Sequence, residues 1–195
     1  MKKTTLVMVI VGVLLAFVVW GIAIYNSLVT LDESVQTSWA NVETQYQRRA
    51  DLIPNLVSTV KGYANHEKET LESVISARSK ATQITVDPTN LTPEKLAAFQ
   101  QAQGEISAAL GKLLAISENY PDLKANTQFQ ELQAQLEGTE NRISVARKNF
   151  NDTARGYNTS IRKFPKNIIA GIAGFEKRNY FEAEAGSEQA PKVEF

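Results

Sequence analysis

The stretch LVMVIVGVLLAFVVWGIAIY, residues 6–25, contains no charged side chain. As a helix it covers about 30 Å, the thickness of a bilayer's hydrocarbon core. It exceeds the roughly 7–15 residues of a signal-peptide core, and no small-x-small cleavage pattern follows it clearly. Residues 6–25 are therefore read as an uncleaved transmembrane anchor, preceded by a short cytoplasmic N-terminus at 1–5. Lys2 and Lys3 precede the span, and Asp32 and Glu33 follow it. The positive-inside tendency places the N-terminus in the cytoplasm and everything after the anchor outside the cytoplasmic membrane. Gly12 and Gly21 do not have the small-x-x-x-small spacing of a strong helix-dimer motif, so the anchor gives no oligomeric state.

After the anchor the pattern changes from uniformly apolar to striped. Leu28, Leu31, Val35, Trp39, Val42, Tyr46, Ala50, Ile53, Val57 and Val60 recur in steps of three and four, the period of a helix with one buried face. The pattern resumes after Pro54 and predicts a helix reaching about Ala81, bent or interrupted near Ile53-Pro54, with Gly62 as a soft spot. A proline inside a helix lacks the N–H that would reach the carbonyl four residues back, so Pro54 marks a kink with the Ala50 carbonyl set free.

Residues 82–95 form a connection with turn chemistry at Asp87-Pro88. Thr92 caps the next helix and Pro93 occupies its first turn. That helix carries Leu96, Phe99, Ala102, Ile106, Leu110 and Leu113, and it ends near Asn119-Tyr120, before Pro121. Asn126 and Thr127 are the caps of a last long helix. Its stripe runs through Phe129, Leu132, Leu136, Thr139, Ile143, Phe150, Tyr157 and Ile161, and Pro165 stops it. A short apolar segment from Ile168 to Phe175 comes next.

The predicted fold is all-α: an antiparallel up-and-down bundle of three to four long helices at 26–179, tethered by the anchor. An acidic, flexible tail is expected at 180–195.

With 21 basic and 21 acidic side chains, the net charge is zero. No basic face argues for a nucleic-acid partner. The chain has no cysteine, which excludes disulfides, thiolate chemistry and cysteine-ligated zinc.

Several strings place this chain next to a known family. They are YNSLV at 25–29, RRADLIPNLVSTVKGYANHE at 48–67, the long run at 120–152 that opens YPDLKANTQFQ, and YNTSIRKFPKNIIAGIAGFEKRNYFE at 157–182. In order and extent they resemble the LemA family. The resemblance implies a bacterial protein with an N-terminal anchor and an antiparallel helical bundle, and with no established biochemical activity. Magnetosome-associated proteins are similar to this family, which points toward membrane organisation. Neighbouring membrane-bound metalloproteases in other members point toward envelope protein partners.

The residues themselves nominate no catalytic site, cofactor or metal. His66 is the sole histidine. An HExxH zinc motif would need a second histidine at position 70, which is Thr. Glu67, Glu69 and Glu72 are spaced as on an ordinary solvated helix face, and no nucleophile elbow or phosphate-cradling loop occurs. Two non-catalytic features stand out. Arg48, Arg49 and Asp51 should face Glu140, Asn141 and Arg142 in an up-down bundle, giving an interhelical polar network centred on Arg49 and Glu140. Ile168, Ile169, Ile172 and Phe175, with basic neighbours, form an apolar element that either caps the bundle or touches the membrane or a partner.

The reading is a non-enzymatic, membrane-anchored scaffold or protein-interaction module of the bacterial envelope. Its expected partners are the lipid bilayer and an envelope or membrane protein. The alternatives are an adaptor or regulator of a membrane-bound protease and an enzyme of unknown class.

Overall fold

In the computed structural model, which describes residues 2–64 and 66–182, helix α1 (Lys2–Lys61) is one unbroken helix of 60 residues. It is about 90 Å long. Its first third stands alone: Leu6 through Ile22 project apolar side chains with nothing packed around most of them. Among the described residues this is the one helix long and apolar enough to cross a membrane. Hydrocarbon offers no hydrogen-bond partners, and a helix satisfies its own backbone, so this segment suits that solvent.

From Ile24 onward α1 is built into a bundle. Helices α2 (Lys68–Gln83), α3 (Pro93–Ser117) and α5 (Thr127–Arg162) run beside it. The four alternate in direction. Trp39 and Arg49 of α1 meet Phe150 and Glu140 of α5, and Tyr63, just beyond α1, meets Asn126, just before α5. Ten residues forward on α1 thus correspond to ten backward on α5. Between α2 and α3, Lys80 meets Glu105, and Glu67, just before α2, meets Tyr120, just beyond α3. A four-residue turn of helix, α4 (Pro121–Lys124), links α3 to α5, and a short helix, α6 (Lys166–Ala173), comes after α5.

The caps read from sequence are in place. The Thr92 hydroxyl accepts from Lys95 N and the Asn126 side chain accepts from Phe129 N, each satisfying a first-turn donor.

The expected interruption at Ile53-Pro54 is not where the long helix ends. Helix α1 continues through Pro54 and ends at Lys61, and α2 begins at Lys68. Two features hold the helix through the proline. Ile53, Leu56 and Val57 are buried on either side of it, while Pro54 itself faces solvent. The carbonyl that Pro54 cannot reach, Ala50 O, accepts instead from Arg78 Nε of α2 at 2.7 Å. At Gly62 glycine's high helix cost takes over, and Gly62 N and Tyr63 N close tighter turns onto Thr59 O and Val60 O.

The core is divided. A distal cluster gathers Leu56, Val60, Val74, Ile106, Leu113, Leu123 and Phe129. A cluster nearer the apolar span gathers Leu28, Trp39, Phe99, Phe150, Tyr157 and Phe181. Buried Arg49, Gln103 and Thr139 lie among them.

Two residues of the expected tail pack on the bundle. Tyr180 is half-buried and Phe181 is buried, its ring stacked on Trp39 with centroids 5.6 Å apart. Aromatic burial outweighs the loop-like composition of this stretch. Residues 183–195, the rest of the expected tail, lie outside the described residues.

Replacing Arg78 by Ala should destabilise the bundle by about 1–3 kcal/mol, because the Ala50 carbonyl loses its donor. In a Pro54→Ala background the restored N–H takes that carbonyl, and the same replacement should cost less than half as much. Denaturant melts of the four variants in the cycle measure the difference.

Candidate functional site

The Arg49 side chain is only 2% exposed. It leaves α1 and ends against α3 and α5. Its Nη1 donates to Ser107 Oγ at 2.8 Å and to Glu140 Oε1 at 2.6 Å. Its Nη2 donates to Gln103 O at 2.9 Å and Gln103 Oε1 at 2.6 Å. The guanidinium lies 5.2 Å from the Tyr46 ring centroid. Arg49 Nε is buried without a partner. One cation thus ties three helices together, and a guanidinium suits the task because its planar fork holds several donors at once.

This group floors a cleft of about 460 Å³ between α1, α3 and α5, walled by Gln100, Gln101, Gly104, Ile143 and Arg147. Glu140 is 45% exposed at its rim. The lining offers amide, hydroxyl and paired charged groups, so the cleft presents hydrogen-bonding surface with no nucleophile–base pair among its walls. No group of three or more His, Asp or Glu side chains that would hold a metal occurs among the described residues. His66 lies exposed in the turn before α2, and its neighbour Glu67 accepts from Tyr120 Oη at 2.9 Å.

The six residues of the expected polar network do not form one network. Arg49 and Glu140 meet. Arg48 and Asp51 are exposed on a different side of α1, where Asp51 accepts from Gln47 one turn away. Asn141 and Arg142 face a second cleft of about 370 Å³ with Ser38, Asn41 and Gln45. Consecutive helical residues are about 100° apart, so a string that is contiguous in sequence is dispersed around the axis.

Sequence reasoning missed the grip on the carboxy-terminal segment. After Gly174, which takes the left-handed conformation at φ 75°, the chain runs extended along α5. Two asparagines of α5 hold it by its backbone. Asn158 accepts from Arg178 N and donates to Arg178 O, both at 2.8 Å. Asn151 accepts from Phe181 N at 2.8 Å and donates to Phe181 O at 2.9 Å. Seven residues of helix and three of extended chain each advance about 10 Å, so the two ladders match.

The Arg178 side chain reaches back to Asp32 at 2.7 Å and to the Thr89 carbonyl. Glu182 O then accepts from Gln100 Nε2 at 3.2 Å and Arg147 Nη2 at 3.1 Å, at the mouth of the Arg49 cleft. The seven-residue spacing of Asn151 and Asn158 and the aromatic pair Tyr180-Phe181 were the available signals.

A profile of the LemA family matches residues 38–195, which include Arg49, Glu140 and the asparagines that grip the carboxy-terminal segment. The chain belongs to the LemA family. It is similar to the magnetosome protein MamQ of Magnetospirillum gryphiswaldense, with 30% identity over 191 residues that cover 89% of this chain and 70% of that protein. It is 28% identical over 190 residues to the magnetosome protein MamQ 2 of Paramagnetospirillum magneticum, with the same coverage. The protein LemA of Metamycoplasma hominis is 28% identical over 145 residues, covering 74% of this chain and 63% of its own length. Family membership and architecture together make this a membrane-associated helical protein of the LemA family.

Two measurements test the energetics of this site. Arg49→Met leaves Gln103 and Ser107 without their donor and should cost about 3–5 kcal/mol in denaturant melts. Glu140→Gln should cost only about 1 kcal/mol, because Glu140 is half in water and Arg49 keeps its α3 partners. Exchanging the two charges should not restore stability, since a carboxylate at position 49 would face the Gln103 carbonyl.

Nearby, burial pushes the Glu43 carboxyl above its ordinary value of 4.5, and the Trp39 indole beside it offsets part of the rise. The indole nitrogen falls short of full hydrogen-bond geometry. A raised carboxyl pKa means the folded state binds its proton more tightly, so the penalty is absent below pH 4.5 and grows as pH rises above it. Glu43→Gln should therefore melt higher than the parent at neutral pH, with the gap closing in acid.

Proposed function

We propose that this LemA-family protein is a membrane-tethered interaction scaffold that presents the α3–α5 face, with the Arg49 cleft, to an envelope protein. The observation that carries this reading is the continuity of α1. One helix begins in the apolar span and ends at the far side of the bundle. An unbroken helix transmits orientation, whereas a flexible linker would let the domain tumble. The cleft adds polar donors and acceptors suited to a protein surface or an extended peptide.

Lys2 and Lys3 favour a cytoplasmic N-terminus and an extracytoplasmic bundle in the inner membrane. The similarity to magnetosome proteins agrees with work at a membrane. A membrane-bound protease as the captured partner would make the protein its adaptor.

A photo-crosslinking residue placed at Gln101, on the cleft wall, should capture a discrete partner in intact cells, and one placed at exposed Ile75 should not. A flexible insertion between Asn26 and Ser27 should reduce capture several-fold while the bundle beyond it stays helical by circular dichroism. Equal capture from both positions, or indifference to the insertion, would overturn the reading. Labelling a cysteine at Val145 with an impermeant reagent in spheroplasts should succeed without lysis if the bundle is extracytoplasmic.

A further inference from the structure

Helix α6 is the short apolar element that the main bundle does not need for its core. Only Ala170 among its residues is buried. One face of it is spoken for. The Ile169 side chain lies 3.9 Å from where a Cβ on Gly21 would be. Lys166 Nζ donates to Ser27 Oγ at 3.0 Å and to Ser160 Oγ at 3.4 Å. Just past α6, the Phe175 ring packs on Tyr25 with centroids 5.8 Å apart. The opposite face is open. Ile168 is 52% exposed and Ile172 81%, and Phe164, just before the helix, is 80% exposed.

The position of α6 decides what covers that face. Gly21 and Tyr25 belong to the apolar run at 6–25. If that run fills the hydrocarbon core, Gly21 sits four residues, about 6 Å, inside the core's outer boundary. A helix in contact with Gly21 is therefore at the boundary itself. Amphipathic helices that lie in a membrane surface bury their apolar faces about 5–10 Å into the headgroup and acyl region. The two depths coincide.

The charges around α6 fit the same place. Arg162 and Lys163 precede it and Lys177 lies just beyond it, all exposed, with Glu176 the acidic neighbour. Long basic side chains at this level reach the headgroups while their stems lie along apolar surface. The element is also held firmly. Gly174 turns the chain, and the asparagine grips on Arg178 and Phe181 fasten the extended segment to α5.

We propose that α6 is a second membrane contact, with Phe164, Ile168 and Ile172 inserted in the leaflet from which α1 emerges. Together with α1 it makes a two-point attachment. A single helix leaves the bundle free to rotate about the helix axis and to tilt. A second contact to one side removes both freedoms and sets which face of the bundle looks along the membrane. The proposal rests on residues 6–25 spanning the bilayer, which the scaffold reading also uses, so its test carries a separate control for that span.

The natural chain has no cysteine, so single cysteines can be introduced and labelled with an environment-sensitive fluorophore in the full-length protein. The protein is reconstituted in nanodiscs of phosphatidylcholine and phosphatidylglycerol, with and without lipids that carry a nitroxide quencher near the glycerol. Labels go at Ile172, Ile168, Val145 and Val13. Val145 is an exposed apolar side chain on α5, and Val13 lies within the span.

Lipid quenching at 172 and 168 should exceed that at 145 several-fold, and the label at 13 should be lipid-exposed too. Quenching at 13 together with water-like behaviour at 172 and 168 would overturn the proposal and leave the span intact. Water-like behaviour at 13 would overturn both. A blue-shifted label at 172 that lipid quenchers do not reach would mean that a second protein copy covers the face, and would also overturn it.

Discussion

The backbone of α1 has to satisfy its own hydrogen bonds across residues 6–25, because hydrocarbon supplies none. That requirement sets a helix before any packing exists, and the helix then passes without a break into the bundle. Everything downstream inherits its direction. Helix α5 pairs with it in antiparallel register from Tyr63–Asn126 through Arg49–Glu140 to Trp39–Phe150. By the time α5 has returned alongside Ser27, the chain is back beside the end of the apolar run, and α6 packs there.

Three arginines close the gaps that helix packing leaves. Arg78 takes the carbonyl that Pro54 abandons. Arg49 ties α1 to the Gln103 backbone and to Glu140. Arg178 joins the extended carboxy-terminal segment to Asp32 and to the Thr89 carbonyl. Each couples elements far apart in sequence, and Arg78 and Arg49 supply donors to carbonyls inside the bundle. A buried ion pair as a whole adds little net stability over a well-packed apolar pair, but losing one partner is costly, so Arg49 penalises any register that leaves it unpaired. The antiparallel register of α1 and α5 is thereby specified by Arg49 as well as by hydrophobic contact.

Periodicity was enough to find the helices, because a stripe every three or four residues records one buried face whatever covers it. The caps at Thr92 and Asn126 were equally legible, since a cap is a local hydrogen bond. The proline was half legible. Its orphaned carbonyl is a matter of backbone chemistry, whereas the helix surviving it depends on Arg78, 28 residues away. The polar site was legible as residue types and not as a constellation. Arg49 and Glu140 come together, while Arg48, Asp51, Asn141 and Arg142 turn to other faces. The carboxy-terminal grip escaped notice because an extended segment has no period of its own, and its order comes from Asn151 and Asn158 on another element.

By itself, then, the sequence determined an apolar membrane-length helix, the striped faces of the bundle helices, and the capped starts of α3 and α5. These are properties of local backbone chemistry and of one-dimensional hydrophobic pattern. Tertiary structure alone decided which arginine meets which acceptor, that residues 178–182 lie on the bundle, and that α6 stands beside Gly21. Such contacts depend on the angle at which each side chain leaves its helix and on the register between helices. Both are set when the core closes.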